Sequence, residues 1–205
     1  MIAIIDYGAG NIGSVEKALG YIGAAFTTTR DAAVIKSADK VILPGVGAFG
    51  DAMNNLDKSG LCGTVREVIA DGVPFLGICV GLQMLFESSM ESPGVSGLGI
   101  FKGTIERIPK ESGLKIPHIG WNSLSIKNGG GIFKNVEPNP FVYFVHSYYL
   151  NAADKDIVAA TADYGVTMDV AVAHKNVTAT QFHLEKSGML GINMLKNFVF
   201  GGKFE

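Results

Sequence analysis

Cysteine is the most readily ionised sulfur nucleophile available to a protein at neutral pH, and Cys79 stands in a setting that suits such use. The segment Pro74-Phe75-Leu76-Gly77-Ile78-Cys79-Val80-Gly81-Leu82-Gln83 is an apolar strand running into Gly-x-Cys-x-Gly and then a helix. A nucleophile on a strand-to-helix elbow needs small residues two before and two after it. The sharp turn brings neighbouring backbone into contact while it exposes the reacting atom. The start of the following helix favours the thiolate, and the backbone N–H of Val80 points at an oxyanion formed beside the sulfur. Cys62 lacks this setting and reads as a spectator, and its distance along the chain from Cys79 fits no zinc motif.

Such a nucleophile needs a base, and the base needs a third group to fix its tautomer. Four histidines are present. His183 and Glu185 lie two apart in Val177-Thr178-Ala179-Thr180-Gln181-Phe182-His183-Leu184-Glu185-Lys186-Ser187, at a strand's end where alternate side chains project to one side. His146, in Phe141-Val142-Tyr143-Phe144-Val145-His146, is the chief rival; His118 and His174 have no carboxylate two positions away.

These residues require a sheet to hold them, and the sequence predicts one. Ile2 to Ile5 reads as a buried strand, Asp6 to Asn11 as a glycine loop and Ile12 to Ile22 as a helix. A strand over Ala25 to Thr29, a short helix near Ala32 to Ser37 and a strand from Lys40 to Leu43 that breaks at Pro44-Gly45 continue the β-α-β rhythm. Leu61 to Asp71 is an amphipathic helix, Gly72 to Ile78 a strand and Gly81 to Glu87 the next helix. After Ser88 glycine and proline punctuate Pro93 to Gly131. Strands then follow at Phe141 to Leu150, Ile157 to Thr161, Val170 to His174 and Val177 to Phe182, before a closing helix from Ser187 to Phe200. The fold class is α/β, a mostly parallel central sheet flanked by helices with a strand-rich second half.

At 205 residues and 47% hydrophobic composition the chain can bury one sizeable core, so residues 1–205 read as a single domain. A formal charge of -2, with no Lys/Arg cluster, gives no basic surplus for nucleic acid. No run approaches the ~18 apolar residues of a membrane span, and no basic stretch precedes the apolar N-terminus, so a cytoplasmic protein is expected. The scattered histidines offer no metal site.

Gly77 to Gln83 and Gln181 to Ser187, about a hundred residues apart, together resemble the class I (triad) glutamine amidotransferases. Within that family, four further segments are similar to the glutaminase subunits of imidazole glycerol phosphate synthases. They are Ile5-Asp6-Tyr7-Gly8-Ala9-Gly10-Asn11, Leu43-Pro44-Gly45-Val46-Gly47-Ala48-Phe49-Gly50, Pro117-His118-Ile119-Gly120-Trp121-Asn122 and Tyr143-Phe144-Val145-His146-Ser147-Tyr148-Tyr149. One departure is Leu184, where the family usually has proline between the catalytic histidine and glutamate. It restores a backbone N–H, loosens φ and removes no reacting group.

The resemblance implies glutamine hydrolysis with Cys79 as nucleophile, His183 as acid and base, and Glu185 as its orienter. It implies an oxyanion site from Gly45, Val46 and Gly47 together with Val80, and substrate contacts from Gln83, Ser147 and Tyr148. It implies no cofactor. The implied partner is a (β/α)₈-barrel cyclase subunit in a heterodimer, met near Asn11, Trp121, Tyr143 and Lys186. That cyclase uses the ammonia to make imidazole glycerol phosphate and an aminoimidazole carboxamide ribotide. Four alternatives stand beside this reading: a paralogous glutaminase feeding a different synthase, such as one amidating a sugar; a non-catalytic scaffold module; another elbow-cysteine hydrolase; and a dinucleotide site at Gly8-Ala9-Gly10-Asn11-Ile12-Gly13 with Asp31 as its ribose ligand.

Overall fold

The computed structural model describes residues 1–201 other than 9, 111, 112 and 128. The chain opens with β1 (Ile2–Ile5), α1 (Ile12–Tyr21), β2 (Phe26–Thr29), α2 (Ala32–Lys36), β3 (Lys40–Gly45), α3 (Phe49–Lys58), α4 (Cys62–Ala70), β4 (Phe75–Cys79) and α5 (Val80–Gln83). The second half holds β5 (Ser88–Ser89), β6 (Gly103–Arg107), β7 (His118–Ser123), β8 (Ser125–Ile126), β9 (Phe141–His146), β10 (Tyr148–Ala152), β11 (Val158–Asp163), β12 (Thr167–His174), β13 (Val177–Thr180) and α6 (Gly188–Phe200).

The main sheet runs β2-β1-β3-β4-β13-β12-β10-β6-β5, with β11 and β8 attached through β12. Its first five strands are parallel. From β13 onward the β12, β10 and β6 pairings are antiparallel. Strands buried on both faces must be apolar throughout, and β1 and β4 are buried at every position. One continuous core joins these strands to Leu19, Phe49, Phe86, Phe144, Phe182 and Phe198. Each such side chain contributes about 1.5–3 kcal/mol on burial. Strand register sets Gly45 opposite Cys79, and Ile78 opposite Thr180. The carboxyl ends of β3, β4 and β13 therefore meet at one edge, where α/β sheets place their ligands.

Three sequence expectations are corrected. The helix after Cys79 is one turn, Val80–Gln83, rather than Gly81 to Glu87. The strand expected from Phe141 to Leu150 divides at Ser147: β9 pairs with β7 in a separate two-stranded sheet, while β10 joins the main sheet. Helix α3 is absent from the sequence expectation, although Phe49, Ala52, Met53 and Leu56 bury one face at helical spacing. Its start has no local cap. Instead Glu91 Oε2 accepts from Phe49 N–H at 2.8 Å and Ser92 Oγ from Gly50 N–H at 3.0 Å. Strands β6 and β7, inside the glycine- and proline-punctuated stretch, are likewise additions of the structure.

The opening glycine motif includes Ala9, which lies outside the described residues. Asp31 is explained locally, since its side chain accepts from Ala33 N–H and caps α2.

Candidate active site

Cys79 ends β4 with φ 57° and ψ -111°, a backbone conformation that costs a non-glycine residue about 1–3 kcal/mol. The surroundings hold it there. Gly77, Gly81 and Gly45 stack their backbones beneath the elbow. A methyl on Gly77 would come 2.8 Å from the Gly81 carbonyl oxygen, one on Gly45 2.7 Å from Gly81 N, and one on Gly81 would overlap the Leu43 carbonyl oxygen. Leu43 is fixed in β3, so Gly81→Ala has no room to relax. We expect it to cost at least about 3 kcal/mol, read as a lowered urea midpoint with unchanged m-value.

His183 follows β13, with φ -89° and ψ 108°, and Glu185 lies in the 3₁₀ turn Leu184–Lys186. The expected strand alternation does not bring them together; the turn does, placing His183 Nδ1 2.7 Å from Glu185 Oε1. Both side chains are buried. Ser187 locks the turn, its Oγ donating to the His183 carbonyl at 2.6 Å and accepting from Tyr143 N–H at 2.9 Å. His183 N–H donates to the Tyr143 carbonyl at 3.1 Å. Leu184 is fully buried, and His183 keeps the extended conformation that a following proline would impose. Packing and hydrogen bonds therefore do here what proline's ring does elsewhere.

Burial pulls the His183 imidazole pKa down, but Cys79 and Glu185 together raise it to about 9. Imidazolium thus prevails at neutral pH. Its Nε2, like Glu185 Oε2, is buried with no hydrogen-bond partner among the described residues. Catalytic hydrogen bonds are often long or bent before substrate arrives.

A cavity of about 280 Å³ opens over the elbow. It brings together Cys79, Val80, Val46, Gly47, Gln83, His146, Ser147, Tyr148, His183 and Lys186, all singled out from sequence, and adds Glu91, Val145 and Gln181. Gly45 lies beneath the elbow instead. Val80 N–H belongs to a helix's first turn, where amides have no intrahelical acceptor. Glu91 carried no local motif, and Gln181 opens the segment that carries the family resemblance without being given a role there; contacts made 42 and 102 residues away reveal them.

His146, the rival base, is held on both sides. His146 Nδ1 lies 2.9 Å from the Tyr148 carbonyl and its Nε2 3.0 Å from His118 Nδ1, so both ring nitrogens are committed. Burial lowers both histidines to about 4. An unfolded histidine titrates near 6.5, so between pH 6.5 and 4 the unfolded chain binds protons that the folded one refuses. The contribution of these two histidines to stability is present in full above about pH 6.5 and declines as pH falls toward 4, by roughly 3 kcal/mol per histidine. Urea midpoints measured from pH 7 to 4 should show this fall.

On the outer face of β7 and β9, Trp121 lies opposite Tyr143 with ring centroids 6.2 Å apart. Trp121 is 54% exposed, and Ile119, Phe141 and Met189 are exposed likewise. Lys186 is exposed in the same turn as Glu185. Asn11 precedes α1, where its Oδ1 accepts from Ser14 Oγ at 2.9 Å, and α1 packs against the Leu184–Lys186 turn.

Residues 3–201 match the family described as "Glutamine amidotransferase class-I". The imidazole glycerol phosphate synthase subunit HisH of Caldanaerobacter subterraneus subsp. tengcongensis is 50% identical over 198 residues, 97% of each chain. The subunit of the same name from Methanothermobacter thermautotrophicus is 50% identical over 199 residues, 97% of this chain and 98% of its own. A crystal structure of a glutamine amidotransferase shares the fold, with a TM-score of 0.75 over 98% of both chains at 17% identity. With the elbow, the buried histidine and glutamate and the cavity over them in place, the chain belongs to the class I glutamine amidotransferase family, among the HisH subunits of imidazole glycerol phosphate synthase.

Proposed function

We propose that this chain hydrolyses glutamine with Cys79, His183 and Glu185, and passes the ammonia to a (β/α)₈-barrel cyclase subunit in histidine biosynthesis. The observation that carries the reading is the strained Cys79 elbow facing, across one cavity, a buried imidazolium held 2.7 Å from a buried carboxylate.

The Cys79 sulfur attacks the side-chain carbonyl carbon of glutamine. The amides at Val80 and in the Val46–Gly47 loop receive the oxyanion, and Gly47, at φ 89°, lets that loop adopt a conformation closed to other residues. His183 Nε2 gives its proton to the departing nitrogen, so ammonia leaves and a γ-glutamyl thioester remains. Water then attacks the thioester as His183 takes its proton, and glutamate is released with the thiolate restored. Glu185 holds the ring throughout. The carboxylate of Glu91 suits the substrate's ammonium group. Gln83 has already committed its amide N–H groups, to the Tyr148 carbonyl and to Gln181 Oε1, so its own Oε1 is the atom it offers to substrate.

Free ammonia is largely ammonium at neutral pH and no longer nucleophilic, which favours direct delivery to a partner. The exposed Trp121–Tyr143 face suits such a docking, since an exposed indole is a common interface anchor. Tyr143 also bonds His183 and Ser187 through its backbone, so the same residue borders both partner face and triad. The relatives' shared name favours this customer over a sugar-amidating synthase. The continuous core supports a single domain over 1–205, and a biosynthetic role goes with the cytoplasm. Among the described residues no helix is long and apolar enough to cross a membrane.

The test is glutamate release from glutamine by the chain alone, with a cyclase subunit, and with both cyclase and its nucleotide ligand. Low activity alone, rising at least about tenfold with both, is expected of coupled sites. Full turnover by the isolated chain would contradict the coupling.

A further inference from the structure

We propose that Gln181 is a further catalytic residue whose side-chain amide donates to the Cys79 sulfur, its polarity set by a hydrogen-bonded chain through Gln83, the Tyr148 carbonyl, His146 and His118. The inference rests on the reading of Cys79 as nucleophile.

Gln181 is fully buried, and its Nε2 lies 3.6 Å from Cys79 Sγ. A side-chain amide has two similar ends with opposite effects. Its NH₂ stabilises a thiolate, whereas its oxygen would repel one. A backbone carbonyl decides which end faces the sulfur, because a carbonyl can only accept. The Tyr148 carbonyl oxygen accepts from His146 Nδ1 at 2.9 Å and from Gln83 Nε2 at 3.3 Å. Gln83 must therefore turn its NH₂ this way, and the same nitrogen lies 3.0 Å from Gln181 Oε1. With its oxygen so engaged, Gln181 has only its NH₂ to aim at the sulfur.

The far end of the chain is fixed by the same logic. His146 Nδ1 must carry hydrogen to reach the carbonyl, which leaves Nε2 to accept from His118 Nδ1–H at 3.0 Å. His118 is held between the rings of Phe144 and Tyr164, with centroids 4.9 and 3.9 Å away. None of these groups exchanges a proton in the hydrolysis. The histidines, and Gln83 through its amide N–H groups, act here as positioning residues, and of these linked groups Gln181 is the one that touches the sulfur.

The test is the rate of Cys79 alkylation by iodoacetamide as a function of pH, in a full-length Cys62→Ala background, alongside glutamine kinetics. Around the sulfur stand His183 and Glu185 from the turn after β13, Tyr7 after β1, His146 from β9, and Glu91 and Lys186 on the cavity wall. Gln181→Met removes the donor, keeps the volume and leaves all of these in place. Its alkylation at pH 7 should fall about tenfold, with the profile moved to higher pH. Its kcat should fall in parallel while KM stays within about twofold. Gln181→Glu, which offers an acceptor, should react more slowly than Gln181→Met. Gln83→Met, read by alkylation alone, should move the profile in the same direction by a smaller amount, and it decides the matter if Gln181→Met does not fold.

A folded Gln181→Met protein with the parent's alkylation profile and kcat would overturn the proposal, as would an unshifted Gln83→Met profile where that variant decides. Failure of the nucleophile reading looks different: the parent protein itself would hydrolyse glutamine undiminished after Cys79 is alkylated.

Discussion

Glutamine hydrolysis by the Cys79→Ala protein is expected to fall roughly 10⁴-fold or more, to the level that binding and oxyanion contacts alone sustain. The other cysteine is not placed to take over the attack. Cys62 lies at the start of α4, apart from the cavity lining, where burial and Asp57 push its thiol pKa up. Alanine keeps the Cβ and the backbone demands of residue 79, so the strained elbow and the three glycines beneath it stay as they are. Stability should change by no more than about 1 kcal/mol. Parallel activity and urea-denaturation measurements would separate this loss from misfolding. Retained hydrolysis in the folded variant would remove Cys79 from the mechanism.

The Glu185→Gln protein is expected to lose roughly 10³- to 10⁴-fold in kcat with little change in fold. The carboxylate does two things at 2.7 Å from His183 Nδ1: it fixes which nitrogen points into the cavity, and it stabilises the imidazolium. Glutamine preserves the shape and removes the charge. The sign of the pH effect follows from the raised histidine. With His183 held at about 9, the proton needed by the departing ammonia is present below that pH and is lost as pH rises through it. Burial continues to oppose the charge in the variant, so the alkaline limb of its kcat/KM profile, which reports the free protein, should move to lower pH. A limb unmoved from its original position would show that Glu185 does not sustain the imidazolium.

The parallel half of the fold is legible in the sequence because its signals are local. Apolar runs such as Ile2 to Ile5 and Phe75 to Ile78 mark strands buried on both faces, and Gly77 and Gly81 bracket the nucleophile because backbone contacts exclude any side chain. The proposed triad is legible for the same reason, although its route is not. Glu185 reaches His183 through a 3₁₀ turn fastened by Ser187, not through strand alternation. What escapes sequence reading depends on distant partners. Helix α3 begins where Glu91 and Ser92 cap it from 42 residues away. The division at Ser147 comes from two sheets competing for one apolar run, with β7 taking β9 and β6 taking β10. Gln181 stands close to His183 along the chain, yet only folding puts its amide on the sulfur.

The most direct test of the central claim is rapid acid quenching of the protein during glutamine turnover in the presence of a cyclase subunit and its ligand, followed by mass spectrometry of the peptide containing Cys79. The mechanism predicts a fraction of that peptide carrying one γ-glutamyl group, absent without glutamine and absent in Cys79→Ala. Steady glutamate release with Cys79 unmodified at every quench time, under conditions that preserve thioesters, would contradict covalent catalysis at this residue.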